Sequence, residues 1–189
     1  MITRRGLAAA AAAALAWAAV AGAVELPRKS APLTIGLGGG KQLTIAGYKG
    51  KPVVLAFIST TCPHCQYTTG LLKQFQAEYR PRGLQIVEAA INQMAESLVP
   101  AFIQQFQPNF PVGFVAYDTA VEYLQHSPAL ILYVPSMVFI DRQGTIRAEF
   151  EGGSPIFSEE QQEKNLRAEI EKLMGKAPAK AAPAKTASK

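Results

Sequence analysis

A run of six apolar residues at positions 53–58, Val-Val-Leu-Ala-Phe-Ile, constrains the fold of this chain more than any other feature. The run is rich in β-branched side chains and follows Gly50, Lys51 and Pro52, which are typical of a turn. Because apolar and polar residues do not alternate within it, the run predicts a strand that is buried on both faces. Such strands lie inside sheets that helices cover, so we expect an α/β fold.

The hydrophobic period changes directly after this strand. Apolar side chains now recur three to four residues apart, as on one face of a helix, at Tyr67, Leu71, Leu72, Phe75 and Tyr79. Pro81 and Gly83 then predict the end of this helix.

The rest of the chain continues to alternate between strand and helix patterns. Strands are predicted at residues 84–91, 112–117, 136–140 and 145–150, and an N-terminal hairpin at 33–37 and 42–45. A second helix is predicted from Leu98 onward, with Pro100 in its first turn, and a short third helix after Asp118 as its N-cap. The last helix is predicted to begin with a capping box of Ser158 and Gln161 and to end at Gly175. We therefore expect a central mixed sheet with helices on both faces and an N-terminal β-hairpin.

The two ends of the chain differ in composition from the part between them. Residues 1–23 begin with two arginines and continue as an alanine-rich stretch that closes on Ala-Gly-Ala, which predicts a signal peptide cleaved after about Ala23. An uncleaved membrane anchor is the alternative, because the stretch approaches the roughly 20 residues of a membrane span. Residues 176–189 consist almost entirely of Ala, Pro and Lys and predict a disordered tail. One domain is expected, at residues 24–175.

The net charge of +5 does not indicate a nucleic-acid partner. Six of the 19 basic residues lie in the two end segments, whereas all 14 acidic residues lie between them. The predicted domain therefore carries 13 basic and 14 acidic groups, a charge of about −1. We expect a monomer that binds no nucleic acid.

The sequence Cys62-Pro63-His64-Cys65 contains both cysteines of the chain and lies where the first buried strand meets the first helix. At a helix N-terminus, free backbone N–H groups and the helix dipole favour a thiolate. Cys62 is therefore predicted to be the exposed nucleophile, with His64 adding positive charge beside it. Cys65, one turn later, is predicted to point inward and to resolve the mixed disulfide formed at Cys62.

Other uses of the two cysteines fit the sequence less well. A structural disulfide across so short a loop would remove little chain entropy. A zinc site needs four ligands, and the only other candidate is His126, which is expected at the surface or in a cap. Haem attachment requires a histidine directly after the second cysteine, where Gln66 stands. We expect no metal and no cofactor beyond a redox-active disulfide between Cys62 and Cys65.

Several of these segments resemble the thioredoxin superfamily. The strand at 53–57, the motif that begins at Thr61, and Val134-Pro135 before a strand carry this resemblance. The N-terminal hairpin, the lead-in at residues 50–52 and the extra helix from Leu98 are similar to its TlpA/ResA-like and AhpC/TSA (redoxin) branch. The resemblance covers about residues 32–174.

The resemblance implies a thioredoxin-like fold and a thiol:disulfide oxidoreductase activity. It also implies that Pro135 is a cis-proline facing the cysteines, and that Val134, Pro63 and Thr61 contact a bound peptide. The expected partners are thiols or disulfides of exported proteins and an unidentified membrane or periplasmic redox partner. The expected location is the periplasm.

Three positions depart from the family pattern. Ala56 stands where thioredoxins carry a buried aspartate, Thr68 where ResA-like reductases place a glutamate, and Thr61 where a tryptophan usually precedes the first cysteine. The group that takes up the proton of Cys65 is therefore not identified by the resemblance. Glu88 is a candidate, although acids on strands are more often solvent-facing.

The direction of electron flow has two interpretations. The family frame predicts a reductase, whereas Pro-His between the cysteines is similar to DsbA-type oxidants. A peroxiredoxin-like peroxidase is a further alternative, but Ser59 and Leu55 occupy the positions of its threonine and proline. A copper-binding chaperone would have only the two thiolates and the distant His126 as ligands.

Overall fold

The computed structural model describes residues 25–175. The strands in this part are β1 Arg28–Lys29, β2 Thr34–Gly38, β3 Lys41–Thr44, β4 Val53–Ile58, β5 Gln85–Ala90, β6 Val112–Phe114, β7 Ser136–Ile140 and β8 Thr145–Phe150. The helices are α1 Pro63–Tyr79, α2 Ala95–Phe106, α3 Tyr117–Tyr123 and α4 Gln162–Met174. The predicted signal peptide and tail lie outside the described residues, and no helix in the described part is long and apolar enough to cross a membrane.

The strands form one mixed sheet in the order β1-β8-β7-β4-β5-β6-β2-β3. The central strand β4 pairs in parallel with β5 and antiparallel with β7, while β5 pairs in parallel with β6. The predicted hairpin of β2 and β3 extends the sheet beyond β6. All six side chains of β4 are buried, as expected for a strand covered on both faces.

Helices cover both faces of this sheet, which confirms the predicted fold class. On one face, α1, α2 and α4 pack over Val54, Ala56 and Ile58 of β4. On the other face, α3 packs over Val53, Leu55 and Phe57. The alternation of side chains along β4 thus divides the core into two clusters.

The junction between the hairpin and β6 depends on glycine. A Cβ atom on Gly113 would lie 2.3 Å from the carbonyl oxygen of Gly36 and 2.5 Å from Cγ2 of Ile35. Since these contacts are shorter than real Cβ atoms show, the close approach of β2 to β6 requires the absence of a side chain at this position.

The predicted starts of α2 and α3 are wrong. Helix α2 begins at Ala95, so Pro100 lies in its second turn rather than its first. Met94 turns the chain into this helix with a φ of 59°, a left-handed conformation that the apolar pattern does not signal. Asp118 lies inside the first turn of α3, after Ala116 as the N-cap, where its carboxylate still favours the helix dipole.

The predicted capping box is also wrong. Ser158 follows a short 3₁₀ turn at Pro155–Phe157, and its N–H donates to the carbonyl oxygen of Pro155. The N-cap of α4 is Gln161, whose side chain makes no capping hydrogen bond. Helix α4 ends before Gly175 as predicted.

Candidate active site

The Cys62-Pro63-His64-Cys65 segment forms the start of α1, directly after the loop that follows β4. Cys62 is the N-cap, and its Sγ accepts a hydrogen bond from the N–H of Cys65 at 3.4 Å. Pro63 is the first helical residue, where its lack of an N–H costs nothing. The Cys62 sulfur therefore lies against the free N–H groups of the helix, as the sequence predicted.

The two cysteines are free thiols in different surroundings. Cys65 is fully buried, and its Sγ accepts a long hydrogen bond from the N–H of Ser59 at 3.5 Å. Burial raises the pKa of the Cys65 thiol well above its ordinary value. Cys62 is half-buried and lines an open groove of about 650 Å³ with Pro63, His64, Tyr67 and Glu159.

Tyr67 belongs to this groove rather than to the core. Its side chain is 50% exposed, which corrects its predicted place on the buried face of α1. Cys65, Thr68 and Thr69 are buried in the first turns instead, because the core-facing stripe passes through them before it reaches Leu72.

A polar side chain just after β5 supports the loop before Cys62. Asn92 accepts a hydrogen bond from the N–H of Thr60 at 3.0 Å and donates to its Oγ1 at 3.1 Å. Gln66 donates to the carbonyl oxygen of Thr60 at 3.0 Å. The sequence analysis missed Asn92, although an asparagine just beyond the end of a buried parallel strand is a detectable signal.

Glu88 lies inside the protein, which corrects the expectation that a strand acid faces solvent. The side chain is fully buried on the same sheet face as Ala56, its direct neighbour on β4. Its Oε1 accepts a hydrogen bond from Oγ1 of Thr69 at 2.9 Å, whereas Oε2 has no hydrogen-bond partner among residues 25–175. Burial, opposed by this hydrogen bond, raises the pKa of Glu88 to about 8.

The buried acid therefore lies one strand away from its position in thioredoxins. Neighbouring strands are about 4.8 Å apart, so the Glu88 backbone is displaced by that distance from Ala56. Burial is the main cause of the raised pKa of Cys65, and the nearby Glu88 carboxyl adds to it.

His64 is held by residues that are distant in the sequence. Its Nε2 lies 3.0 Å from Oε1 of Gln162, the first residue of α4. The Gln162 amide donates to Oγ1 of Thr68 at 2.7 Å, and this hydroxyl donates to the carbonyl oxygen of His64 at 2.8 Å. Gln162 is fully buried, and sequence reasoning did not identify it.

The Val134–Pro135 peptide bond is cis, as the resemblance implied. Pro135 directly precedes β7, whose first residue Ser136 pairs with Phe57 near the end of β4. Val134 and Cys62 are both partly buried against the same core cluster. Residues 134–135 thus lie at the end of the central strands where β4 leads to Cys62. Thr61 is exposed at the same end.

His126 does not join this site. Its side chain is 12% exposed, and its Nδ1 lies 3.4 Å from Oε2 of Glu151. Its Nε2 has no hydrogen-bond partner. Within residues 25–175, no group of three or more His, Cys, Asp and Glu side chains is arranged to hold a metal ion.

A dithiol at the N-terminus of the first helix, on a sheet with helices on both faces, defines a thioredoxin-fold protein with a C-x-x-C site. The AhpC/TSA family model matches residues 24–149, most of the chain. The chain therefore belongs to the AhpC/TSA family, and it is similar to the TlpA/ResA-like branch of the thioredoxin superfamily.

Curated relatives carry the name thiol-disulfide oxidoreductase ResA. The protein of Bacillus thuringiensis is 27% identical over 113 residues, which are 60% of this chain and 62% of that protein. The protein of Halalkalibacterium halodurans is 24% identical over 114 residues, 60% of this chain and 61% of that protein. The chain thus spans about three fifths of the length of the curated relatives it matches. The predicted oxidoreductase class agrees with these names.

Solved structures show the same fold. A thiol:disulfide interchange protein of the thioredoxin family from Chlorobium tepidum has a TM-score of 0.65 at 20% identity, covering 81% of this chain and 100% of that one. A secreted disulfide oxidoreductase from Mycobacterium tuberculosis has a TM-score of 0.56 at 21% identity, covering 72% and 95%. The predicted thioredoxin-like architecture is therefore confirmed.

Proposed function

We propose that this protein is a thiol:disulfide oxidoreductase of the reductase type, which exchanges disulfides with exported proteins through Cys62 and Cys65. One observation carries the proposal: a half-exposed cysteine caps α1, and a fully buried cysteine lies one turn later, with its N–H on the first sulfur. This arrangement separates the attacking thiol from the resolving thiol. The names of the ResA relatives support the same chemistry.

The exchange of sulfur–sulfur bonds itself involves only the two protein thiols and the substrate disulfide. The Cys62 thiolate attacks one sulfur of a substrate disulfide, so that a mixed disulfide forms and the second substrate sulfur leaves as a thiolate. The Cys65 thiolate then attacks Cys62, which forms the Cys62–Cys65 disulfide and releases the first substrate sulfur. Two electrons pass to the substrate, and its two thiolates take up the protons that the protein dithiol gave up.

Glu88 is the proposed acceptor for the proton of Cys65. The Cys65 thiol must ionise before it attacks, and burial opposes this ionisation. The groups that face Glu88 from neighbouring elements are Ala56 of β4, Val112 of β6, and Thr69 and Cys65 of α1; only the thiol among these titrates. With a pKa of about 8, a fraction of Glu88 is ionised near neutral pH, and this ionised form can accept the proton.

The proposed peptide site lies beside Cys62. An extended substrate segment would pair with the backbone at Val134, next to Pro135, and contact Pro63 and Thr61. Both Pro63 and Thr61 are exposed, and Val134 is only half-buried, so a ligand can reach all three. Backbone pairing of this kind suits a protein that acts on many sequences.

The proposed substrates lie outside the cytoplasm. The signal-peptide pattern of residues 1–23 supports export to the periplasm, where disulfides persist. Regeneration of the dithiol then requires an electron donor, and we expect a membrane or periplasmic redox partner to supply it.

Trapping tests this proposal. Cys65→Ser should accumulate mixed disulfides with exported proteins, because Cys62 still attacks but no thiol resolves the adduct. Cys62→Ser is the matched control and should trap none. Adducts that form through Cys65 instead would reverse the two roles, and the absence of adducts from both variants would contradict disulfide exchange. A reduction potential as low as that of thioredoxin, about −270 mV, would support the reductase direction, whereas one near −120 mV would support the oxidant.

A further inference from the structure

Three hydrogen bonds connect the start of α4 to the ring of His64. The amide nitrogen of Gln162 donates to Oγ1 of Thr68, and that hydroxyl donates to the carbonyl oxygen of His64, one turn earlier in α1. The amide oxygen of Gln162 lies 3.0 Å from Nε2 of His64. Both polar atoms of the Gln162 amide therefore have hydrogen-bond partners, although the side chain is completely buried.

The donors and acceptors in this network determine which atom carries the hydrogen in each hydrogen bond. The single hydrogen of the Thr68 hydroxyl is used on the His64 carbonyl, so Oγ1 must accept from the Gln162 nitrogen. The amide oxygen of Gln162 then faces the imidazole, and a carbonyl oxygen only accepts. Nε2 of His64 must therefore carry a hydrogen, whether the ring is neutral or charged.

The position of the ring is fixed from a second side. His64 meets Phe157 edge-on, with the ring centroids 6.1 Å apart. It also lines the groove that contains Cys62. The ring is therefore held by a hydrogen bond at Nε2 and by an aromatic contact.

We propose that Gln162 is a positioning residue for the dithiol site, which holds the His64 imidazole beside Cys62 as an Nε2–H donor. Helix α4 thereby controls the orientation of a charge next to the nucleophile. The hydrogen-bonding part of this proposal is independent of the proposed function, whereas its effect on Cys62 rests on that function.

Nitrogen NMR of the full chain tests the hydrogen bond. The sequence has only two histidines, so a protein labelled with ¹⁵N-histidine shows the rings of His64 and His126 alone, and His126 serves as the internal reference. We expect a protected Nε2–H signal for His64 in the parent protein. Gln162→Leu should lose this signal, while Gln162→Glu should retain it because a carboxylate oxygen still accepts from Nε2. Persistence of the signal in Gln162→Leu would overturn the proposal.

Alkylation of Cys62 tests the consequence. At pH 6, where an ordinary imidazole is mostly charged, Gln162→Leu should slow the reaction roughly two- to five-fold, the effect of one partly exposed charge. In a His64→Ala background the same substitution should change nothing more. The matched control is Gln161→Leu, which alters the exposed neighbouring glutamine and should leave the rate unchanged.

An equal slowing by Gln162→Leu with and without His64 would show that Gln162 acts through the fold and would overturn the positioning role. Failure of disulfide exchange in the parent protein would contradict the proposed function but would leave the NMR result valid. The two failures are therefore distinguishable.

Discussion

Replacing Glu88 with glutamine should change how the stability of this protein depends on pH. Glu88 is fully buried, one of its carboxyl oxygens has no partner, and burial raises its pKa from 4.5 to about 8. In the unfolded chain the same carboxyl ionises at its ordinary pKa, so the folded state holds its proton more tightly. Stability from this group is therefore complete below about pH 4.5 and is lost as the pH rises through 8.

The size of the effect follows from the difference between the two pKa values. One unit of pKa is worth about 1.36 kcal/mol, so the parent protein should lose about 3 to 4 kcal/mol between pH 5 and pH 8 through this residue. Such a loss is a large fraction of the roughly 5–15 kcal/mol that stabilises a domain. Glu88→Gln carries no ionisable group and should lack this decline. At pH 5 it should be no more stable than the parent, because an amide N–H replaces an oxygen that has no partner.

Urea unfolding of the reduced proteins, followed by far-UV circular dichroism at pH 5, 6, 7 and 8, measures this difference. Glu122→Gln is the matched control, because it makes the same chemical change at an exposed position. The stability difference between Glu88→Gln and the parent should grow in favour of the variant from pH 5 to pH 8. A constant difference across this range would refute the argument that Glu88 is protonated in the fold near neutral pH.

Three further predictions concern the thiols and the sheet. Iodoacetamide at pH 7 should modify Cys62 much faster than the buried Cys65, as peptide mapping would show, and equal rates would contradict the assignment of the nucleophile. His64→Pro should make the dithiol more reducing, because loss of a positive charge destabilises the thiolate, and glutathione titration measures this at about 30 mV per 1.4 kcal/mol; an unchanged potential would show that His64 does not influence the couple. Gly113→Ala should destabilise the protein by roughly 1–3 kcal/mol in urea, because the new methyl group meets the carbonyl oxygen of Gly36, and an unchanged midpoint would contradict this close contact.

Three strands of the sheet could be predicted from the sequence to the residue, whereas the predicted strand at 112–117 is three residues too long because α3 begins at Tyr117. Strands β4, β7 and β8 have the predicted bounds because each is a short apolar or alternating run between turn residues. The starts of α2 and α4 could not be predicted in this way. Residues from other parts of the fold decide them: Gln162, for example, is buried by contacts to α1, which no local pattern records.

Some residues of the candidate site could be predicted from local sequence motifs, and others could not. The cysteine pair and Pro135 belong to local motifs, and the structure places them at the same end of the central strands. Glu88 and Gln162 are polar residues whose burial depends on partners 19 and 94 positions away in the chain. Sequence patterns treat such residues as exposed by default, because an unpaired polar group is costly to bury and its partner is unknown.

The short strands at the two edges of the sheet affect how this protein meets other chains. In the described part of the chain, the sheet ends at β1, two basic residues long, and at β3, which begins with an exposed lysine. Short edges with positive charges are poor templates for another strand. Pairing of these edges between copies of the protein, a common start of aggregation, is thereby disfavoured.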